Sequence, residues 1–314
     1  MASMKAVRIH AYGAAGVLTY EDAPRPVAGA GEVLIRVLAT SVNLFDCVAR
    51  AGYVSAYYPY TFPLILGLDV SGVVEEVGPG VIEFTPGDDV YARADPARNG
   101  AYAEYIAVAA TDVAAKPSSL DYIQAAALPH VVLTAWRALI EAAALNAGQT
   151  ILIHGAAGGV GHVAVQLAKS RGATVLGTAS DKNLQFLREL GVDEAINYSS
   201  RPFEEVVRNV DVVLDTVGGD TQDRSWSVLK AGGVLVSIVE APSEETAVAY
   251  GVRQKFVTAL PPAGGILSEI ASVVDSGQLK PFVSSTVGLP DIQKAHALVE
   301  GRHTRGKLIL KILD

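Results

Sequence analysis

The amino-acid sequence predicts an α/β protein of two domains, a partly open β-barrel and a doubly wound parallel sheet. Three observations carry this. The chain has 314 residues, more than one ordinary domain of roughly 100–200 residues holds. Up to about residue 120 it reads as short alternating strands between Gly/Pro turns. Beyond that, strands alternate with helices, the pattern of a parallel sheet.

In the first part, residues 5–9 and 32–38 alternate apolar with polar, and residues 68–77, 89–92 and 103–108 add further strands. Gly29-Ala30-Gly31, Gly78-Pro79-Gly80 and Pro86-Gly87-Asp88 separate them. Residues 43–52 show no alternation and predict a short helix. In the second part, residues 123–143, 184–190 and 203–208 read as helices, and 194–198, 210–215, 234–239 and 255–260 as strands. From residue 262 the chain turns helical, then ends in a strand over 306–311 that is expected to return to the first domain. The expected division is therefore 1–120 with 262–314, and 121–261.

Residues 150–179 organise the second domain. Ile151-Leu152-Ile153 is a buried strand, and residues 175–179 are the next one. Between them lie Gly155-Ala156-Ala157-Gly158-Gly159-Val160-Gly161 and an amphipathic helix carrying Val163, Ala164, Leu167 and Ala168. Ala156-x-Gly158-x-x-Gly161 is G-x-G-x-x-G with alanine for the first glycine. Gly158 lets a pyrophosphate approach the backbone, Gly161 lets the helix pack on the strand, and the helix N-terminus faces the phosphates. The alternative is an ordinary glycine-rich turn; the flanking strand and helix favour a dinucleotide site.

Composition excludes other classes. The formal charge is −8, from 25 basic and 33 acidic residues, with no basic block, so nucleic acid is not an expected partner. One cysteine, Cys47, rules out an internal disulfide. No apolar run reaches the about eighteen residues of a membrane span. The expectation is a soluble cytoplasmic protein.

The discriminating position for the dinucleotide lies at the end of the second strand, where an acid binds the ribose 2′-OH of NAD. Here the strand runs into Ser180-Asp181-Lys182. Ser180 stands where the acid is expected and Lys182 supplies a cation, which together predict NADPH. Asp181 dissents unless it turns outward to the helix N-terminus, where a carboxylate is favourable.

Further motifs run the length of the chain: Val42-Asn43-Leu44-Phe45-Asp46, Leu66-Gly67-Leu68-Asp69-Val70-Ser71-Gly72, Gly87-Asp88-Asp89-Val90, Leu133-Thr134-Ala135-Trp136, Asp215-Thr216-Val217-Gly218-Gly219 and Arg305-Gly306-Lys307. With the glycine turn, they resemble the zinc-independent quinone oxidoreductases (the ζ-crystallin-like branch) of the medium-chain dehydrogenase/reductase superfamily. The resemblance implies a GroES-like catalytic domain, a Rossmann domain, NADPH as reductant and a homodimer. It implies that Asn43 lines the site beside the nicotinamide and Thr134 contacts its carboxamide. It places Asp215, Thr216 and Val217 past the cofactor, Ile238 and Val239 at the nicotinamide pocket, and Tyr198 on the phosphate. It also suggests Tyr53 as a proton donor, with Tyr57 and Tyr58 close behind. Each has a plainer alternative: Asn43 as a helix cap, Asp215 as a turn residue, Tyr53 as a surface tyrosine. Asp46 reads as a cap for its own helix, His154 as structural, and His130 has no role readable from sequence.

A catalytic zinc needs three protein ligands from Cys, His or Asp/Glu. Zinc-containing relatives carry Gly-His-Glu where this chain has Gly67-Leu68-Asp69, and four lobe cysteines where this chain has none. Cys47 lies where such relatives place a ligand, but it also reads as a small buried apolar residue. No metal is expected. The activity so implied is hydride transfer to a quinone or to the C=C bond of an α,β-unsaturated carbonyl. Alternatives are an NADPH-binding protein with a structural or sensing role, and an NADP-dependent alcohol dehydrogenase.

Overall fold

The computed structural model describes residues 2–257, 263–302 and 304–312. The chain divides into two compact units: Met1–His130, Pro262–Ser276 and Pro281–Asp314 form one, and Val131–Pro261 with Gly277–Lys280 the other. The boundary falls at His130 rather than at residue 120 for a local reason. Asp121 caps the short helix Tyr122–Ala125, accepting from the Gln124 N–H at 2.7 Å, and Ala126 and Ala127 pack against Ala39 and Ile309 of the first unit. The helix expected over 123–143 is accordingly two helices, Tyr122–Ala125 and Pro129–Trp136, the second running on as a wider turn over Arg137–Ala142. Pro129, with no N–H to give, opens the second of them.

The first unit is built from β1 (Ser3–Ile9), β2 (Thr19–Pro24), β3 (Glu32–Val42), β4 (Leu64–Ile65), β5 (Asp69–Val77), β6 (Asp89–Arg93), β7 (Tyr105–Ala109) and β8 (Val113–Ala115). The second contains β9 (Thr150–Ile153), β10 (Thr174–Ala179), β11 (Glu194–Asn197), β12 (Val210–Asp215), β13 (Leu229–Ser237) and β14 (Arg253–Phe256). The chain then adds β15 (Val283–Gly288) and β16 (Lys307–Lys311). In the larger sheet of the first unit the order is β15-β16-β3-β5-β6-β8, with β7 also on β3. The closing strand β16 thus lies antiparallel beside β3. Val33, Ile35 and Val37 of β3 pack with Val70, Val74 and Val90, the alternation of a half-buried strand turned into one core.

The second unit has the order β11-β10-β9-β12-β13-β14, every pair parallel. Ile151, Leu152 and Ile153 are fully buried, as strands covered on both faces require. The strand order reverses between β9 and β12, so the loops leaving these two strands meet at the switch point where such sheets bind ligands. Two helices, Asp220–Ser225 and Glu244–Ala249, escape the sequence reading because six residues each are too few to show a helical period. The strand expected at 255–260 begins at Arg253, and residues 258–260 of it lie outside the described residues. Among the described residues, no helix is long and apolar enough to cross a membrane.

Candidate functional site

The second unit holds the glycine turn. Gly155 takes φ +60, and a Cβ there would meet Thr216 Oγ1 at 2.6 Å. A Cβ on Gly161 would lie 2.3 Å from the Gly155 carbonyl oxygen and 2.7 Å from Ala156 Cα. The helix Gly159–Ser170 can therefore reach the turn only with hydrogen at residue 161. Gly158 is its extended N-cap and carries no side-chain acceptor for the first turn. This is a cradle for a pyrophosphate that larger side chains would fill, and a nicotinamide dinucleotide fits the residues present. Ala156, Gly158, Gly159, Val160 and Gly161 would hold it.

Around this turn three loops are tied together. Thr216 Oγ1 donates to the His154 carbonyl at 2.8 Å. Asp215 is buried, and its carboxylate accepts from the N–H groups of Val217 (2.9 Å) and Gly218 (2.8 Å), from Gln222 Nε2 (2.9 Å) and from Ser237 Oγ (2.8 Å). Four donors engage it, so the Asp215 side chain shapes the loop that carries Thr216, half-buried, and Val217, exposed. The Glu240 carboxylate accepts from the Gly219 N–H, joining this loop to Ile238 and Val239 after β13. Thr134 is buried on the helix Pro129–Trp136. At the end of β10, Asn183 Nδ2 donates to Ser180 Oγ at 3.3 Å. The Asp181 carboxylate is turned to Asn197 Nδ2 at 3.2 Å. Lys182 and Tyr198 are exposed.

His154 braces the turn from below. Ser225 Oγ gives its proton to the Thr221 carbonyl (2.6 Å), so the 2.9 Å contact to His154 Nε2 is donated by the ring. Nδ1 then accepts from Thr178 at 3.2 Å. Burial pushes this imidazole from 6.5 down to about 4. Because the folded pKa is depressed, the neutral ring contributes stability that is complete above pH 6.5 and vanishes as pH falls to about 4. Between pH 7 and 5 the protein is expected to lose about 2 kcal/mol more than a His154→Asn variant, at 1.36 kcal/mol per unit. Urea unfolding followed at both pH values checks this, and equal losses would count against it.

The first unit carries a buried polar network at the ends of three strands. Leu308 pairs with Val42, so the register sets Lys307 opposite Asn43. Ala39 pairs with Ser71, which by the same count sets Ser41 opposite Asp69. Asp69 Oδ2 accepts from Ser41 Oγ and from Asn43 Nδ2 (2.9 Å), and lies 3.6 Å from the Lys307 ammonium. Its Oδ1 accepts from the His130 backbone N–H at 2.6 Å. Lys307 donates to Asn43 Oδ1 and to the Val42 carbonyl (3.3 Å). Burial pushes the Lys307 amine below the usual lysine range, against Asp69 and Asp46, which push it up.

Asn43 also opens the helix Leu44–Arg50. Its backbone N–H is taken by Asp46 Oδ2 at 2.8 Å, so capping is done by Asp46 while the Asn43 side chain faces Asp69 and Lys307. Asp46 also accepts from Tyr102 at 2.9 Å, and burial pushes its carboxyl up to about 6. Behind it, His296 reaches Tyr102 at 3.3 Å and Arg50 at 3.0 Å. Beside it, Phe45 packs edge-on to Tyr58 (5.9 Å) and lies 6.3 Å from His130. Burial pushes His130 down to about 3, so its ring is neutral. Tyr53 and Tyr57 are 80% and 81% exposed. Tyr58 is half-buried and stacked on Tyr60 at 6.1 Å.

Sequence reasoning named Asn43 but passed over Asp69 and Lys307 as chemistry. Their signal lies in burial rather than in pattern: β5 also carries Glu75 and Glu76 and β16 also carries Lys311, and only the buried Asp69 and Lys307 require a partner. The donor atoms around Asp69 are already committed. Both Asp69 oxygens are occupied, Leu68 offers no donor atom, and burial pushes the Cys47 thiol up to about 12. Among the described residues no group of three or more His, Cys, Asp or Glu is arranged for a metal.

A parallel sheet shaped to receive a dinucleotide, and a barrel in which a buried polar cluster fixes an amide, define a nicotinamide-dependent oxidoreductase. Comparison with known proteins agrees. A zinc-binding dehydrogenase model matches residues 190–310, and an alcohol dehydrogenase GroES-like domain model matches 29–118. The chain is 32% identical to the mitochondrial NAD(P)H oxidoreductase RTN4IP1 of Danio rerio, over 99% of this chain and 92% of that one. It is 35% identical to a chloroplastic NADPH-dependent alkenal/one oxidoreductase of Arabidopsis thaliana, over 98% of this chain and 79% of the relative. The solved quinone oxidoreductase of Coxiella burnetii superposes with a TM-score of 0.93 at 35% identity, covering 99% of this chain and 100% of that one. The chain belongs to the medium-chain dehydrogenase/reductase superfamily, in its quinone oxidoreductase branch.

Proposed function

We propose that this protein uses NADPH, without a metal, to reduce quinones or the C=C bond of α,β-unsaturated carbonyls. The observation that carries the reading is the Asn43 amide, buried and bracketed by Lys307 and Asp69 where a zinc site would need free ligands. Bound on the glycine turn, the dinucleotide supplies the hydride. The chain's own residues then hold the acceptor and favour the negative charge that grows on its oxygen. The names of the Arabidopsis thaliana and Coxiella burnetii relatives support this substrate class. The test is NADPH oxidation with 1,4-benzoquinone, 9,10-phenanthrenequinone and 2-alkenals, before and after exhaustive chelation, with elemental analysis. Turnover unchanged by chelation is expected. Near-stoichiometric zinc in active protein would sink the metal-free reading, and no turnover with any acceptor would favour a structural or sensing role.

The preference for NADPH rests on Ser180, Lys182 and Tyr198, with Asp181 drawn away to Asn197. A charge-assisted hydrogen bond contributes about 1.5–3 kcal/mol. Lys182→Ala is therefore expected to erase at least about tenfold of the preference by raising KM for NADPH alone. Equal kcat/KM for NADH and NADPH in the unmodified protein would refute it. The edge strand β14 leaves backbone groups for a second copy to pair with, and a homodimer through this edge is the accompanying proposal. Light scattering at tens of micromolar that gave a monomer mass would count against it.

A further inference from the structure

Asn43 is held by both ends of its amide. Lys307 Nζ donates to Oδ1, and Nδ2 donates to Asp69 Oδ2 at 2.9 Å. Nδ2 carries two hydrogens, and among the described residues only one has a partner. Each anchor is itself held while the amide is in place. Lys307 is fixed by the β3–β16 register and by the Val42 carbonyl at 3.3 Å. Asp69 is fixed by Ser41 and by the His130 N–H at 2.6 Å. The amide plane is thus set, and the second N–H points one way. A cation on an amide oxygen draws electron density from nitrogen, so its N–H groups become stronger donors, an effect amplified in a buried network.

We infer that Lys307 is a positioning residue for reduction: through the Asn43 carbonyl it polarises the uncommitted Nδ2–H into the donor that meets the acceptor's developing oxyanion. This rests on the reductase reading above and deepens it. Hydride delivered to the β-carbon of an enone pushes the C=C pair toward the carbonyl and the C=O pair onto oxygen. The oxyanion persists until a proton from water completes the saturated carbonyl, and the nicotinamide dinucleotide leaves oxidised. A quinone spreads the same charge over a conjugated ring and a second oxygen, so it demands less of the donor. Lys307 therefore biases the enzyme toward poor acceptors, the enones.

The ratio of kcat on a 2-alkenal to kcat on 9,10-phenanthrenequinone reads this directly, because it is independent of the folded fraction. Lys307→Met is expected to lower both rates, with the alkenal losing at least about tenfold more, on the scale of a lost oxyanion donor. Lys307→Gln, which keeps an N–H but not the charge, should shift the ratio in the same direction, and Lys307→Arg should restore it to within about threefold. NADPH binding by fluorescence titration should stay within about twofold in each variant, since the glycine turn, Ser180 and Lys182, which would hold its phosphates, lie in the other unit. A ratio unchanged in any folded variant overturns the inference, as does failure of the arginine variant to restore it. A parent enzyme that turns over no acceptor overturns the functional reading itself, so the two failures are distinguishable.

Discussion

Gly161→Ala is expected to cost about 1–3 kcal/mol of stability and on the order of 100-fold in dinucleotide affinity. Helix propensity alone predicts the opposite sign, since alanine is favoured over glycine by about 1 kcal/mol inside a helix. Contact decides against propensity. The added Cβ would sit 2.3 Å from a backbone oxygen and 2.7 Å from a backbone carbon of the glycine turn, and neither is the end of a flexible side chain. The helix must back away from the turn, at the usual cost of overpacking, and its first N–H groups move off the phosphate position. Gly265→Ala is the control. It lies in the helix Gly264–Asp275 with nothing within 4 Å of its would-be Cβ, so there propensity should win. Calorimetric Tm and fluorescence titration with NADPH separate the cases. A stabilised Gly161→Ala protein with unchanged affinity would show that the cradle is not where the dinucleotide binds.

The same contrast explains what was legible in the sequence. The strand–turn–helix unit could be read because its signals are local: Ile151 to Ile153, the glycines and the helix face fall within a few turns of chain. The strand β12 was read to the residue, as an apolar run bounded by turn residues. The helix Asp220–Ser225 was invisible, because one polar turn is ordered by its place after the loop that Asp215 builds, not by a pattern of its own. The heart of the first unit was legible only in part. Asn43 and Asp69 are 26 residues apart and Asn43 and Lys307 are 264 apart. Only the pairing of β3 with β5 and β16 brings them together, and register across such distances is set by the whole sheet. Burial after the helix Leu44–Arg50 is equally illegible: Tyr53 is exposed while Tyr58 and Tyr60 are half-buried, a difference that no local pattern announces.

Asn43→Ala should lower kcat by about 10²–10³-fold, the scale of a lost oxyanion donor, while leaving NADPH affinity intact. The residue is 5% exposed and has two jobs that can be separated. Its backbone caps the helix through Asp46, and alanine keeps that N–H. Its side chain joins Lys307 to Asp69, and alanine removes both bonds, leaving each charged group short of one partner. The cost of an unmet buried group is about 1–3 kcal/mol, softened here because Lys307 already lies 3.6 Å from Asp69 and can close on it. Asn43→Asp sharpens the test. An aspartate preserves shape and still accepts from Lys307, yet it has no N–H and puts a second carboxylate against Asp69. If the amide acts as a donor, the aspartate variant should be at least as slow as the alanine variant despite better packing. If Asn43 only fills space and caps the helix, the aspartate variant should keep most of its activity. Steady-state kcat on one quinone and one alkenal decides between them, and a loss below about threefold in both variants would remove Asn43 from the chemistry.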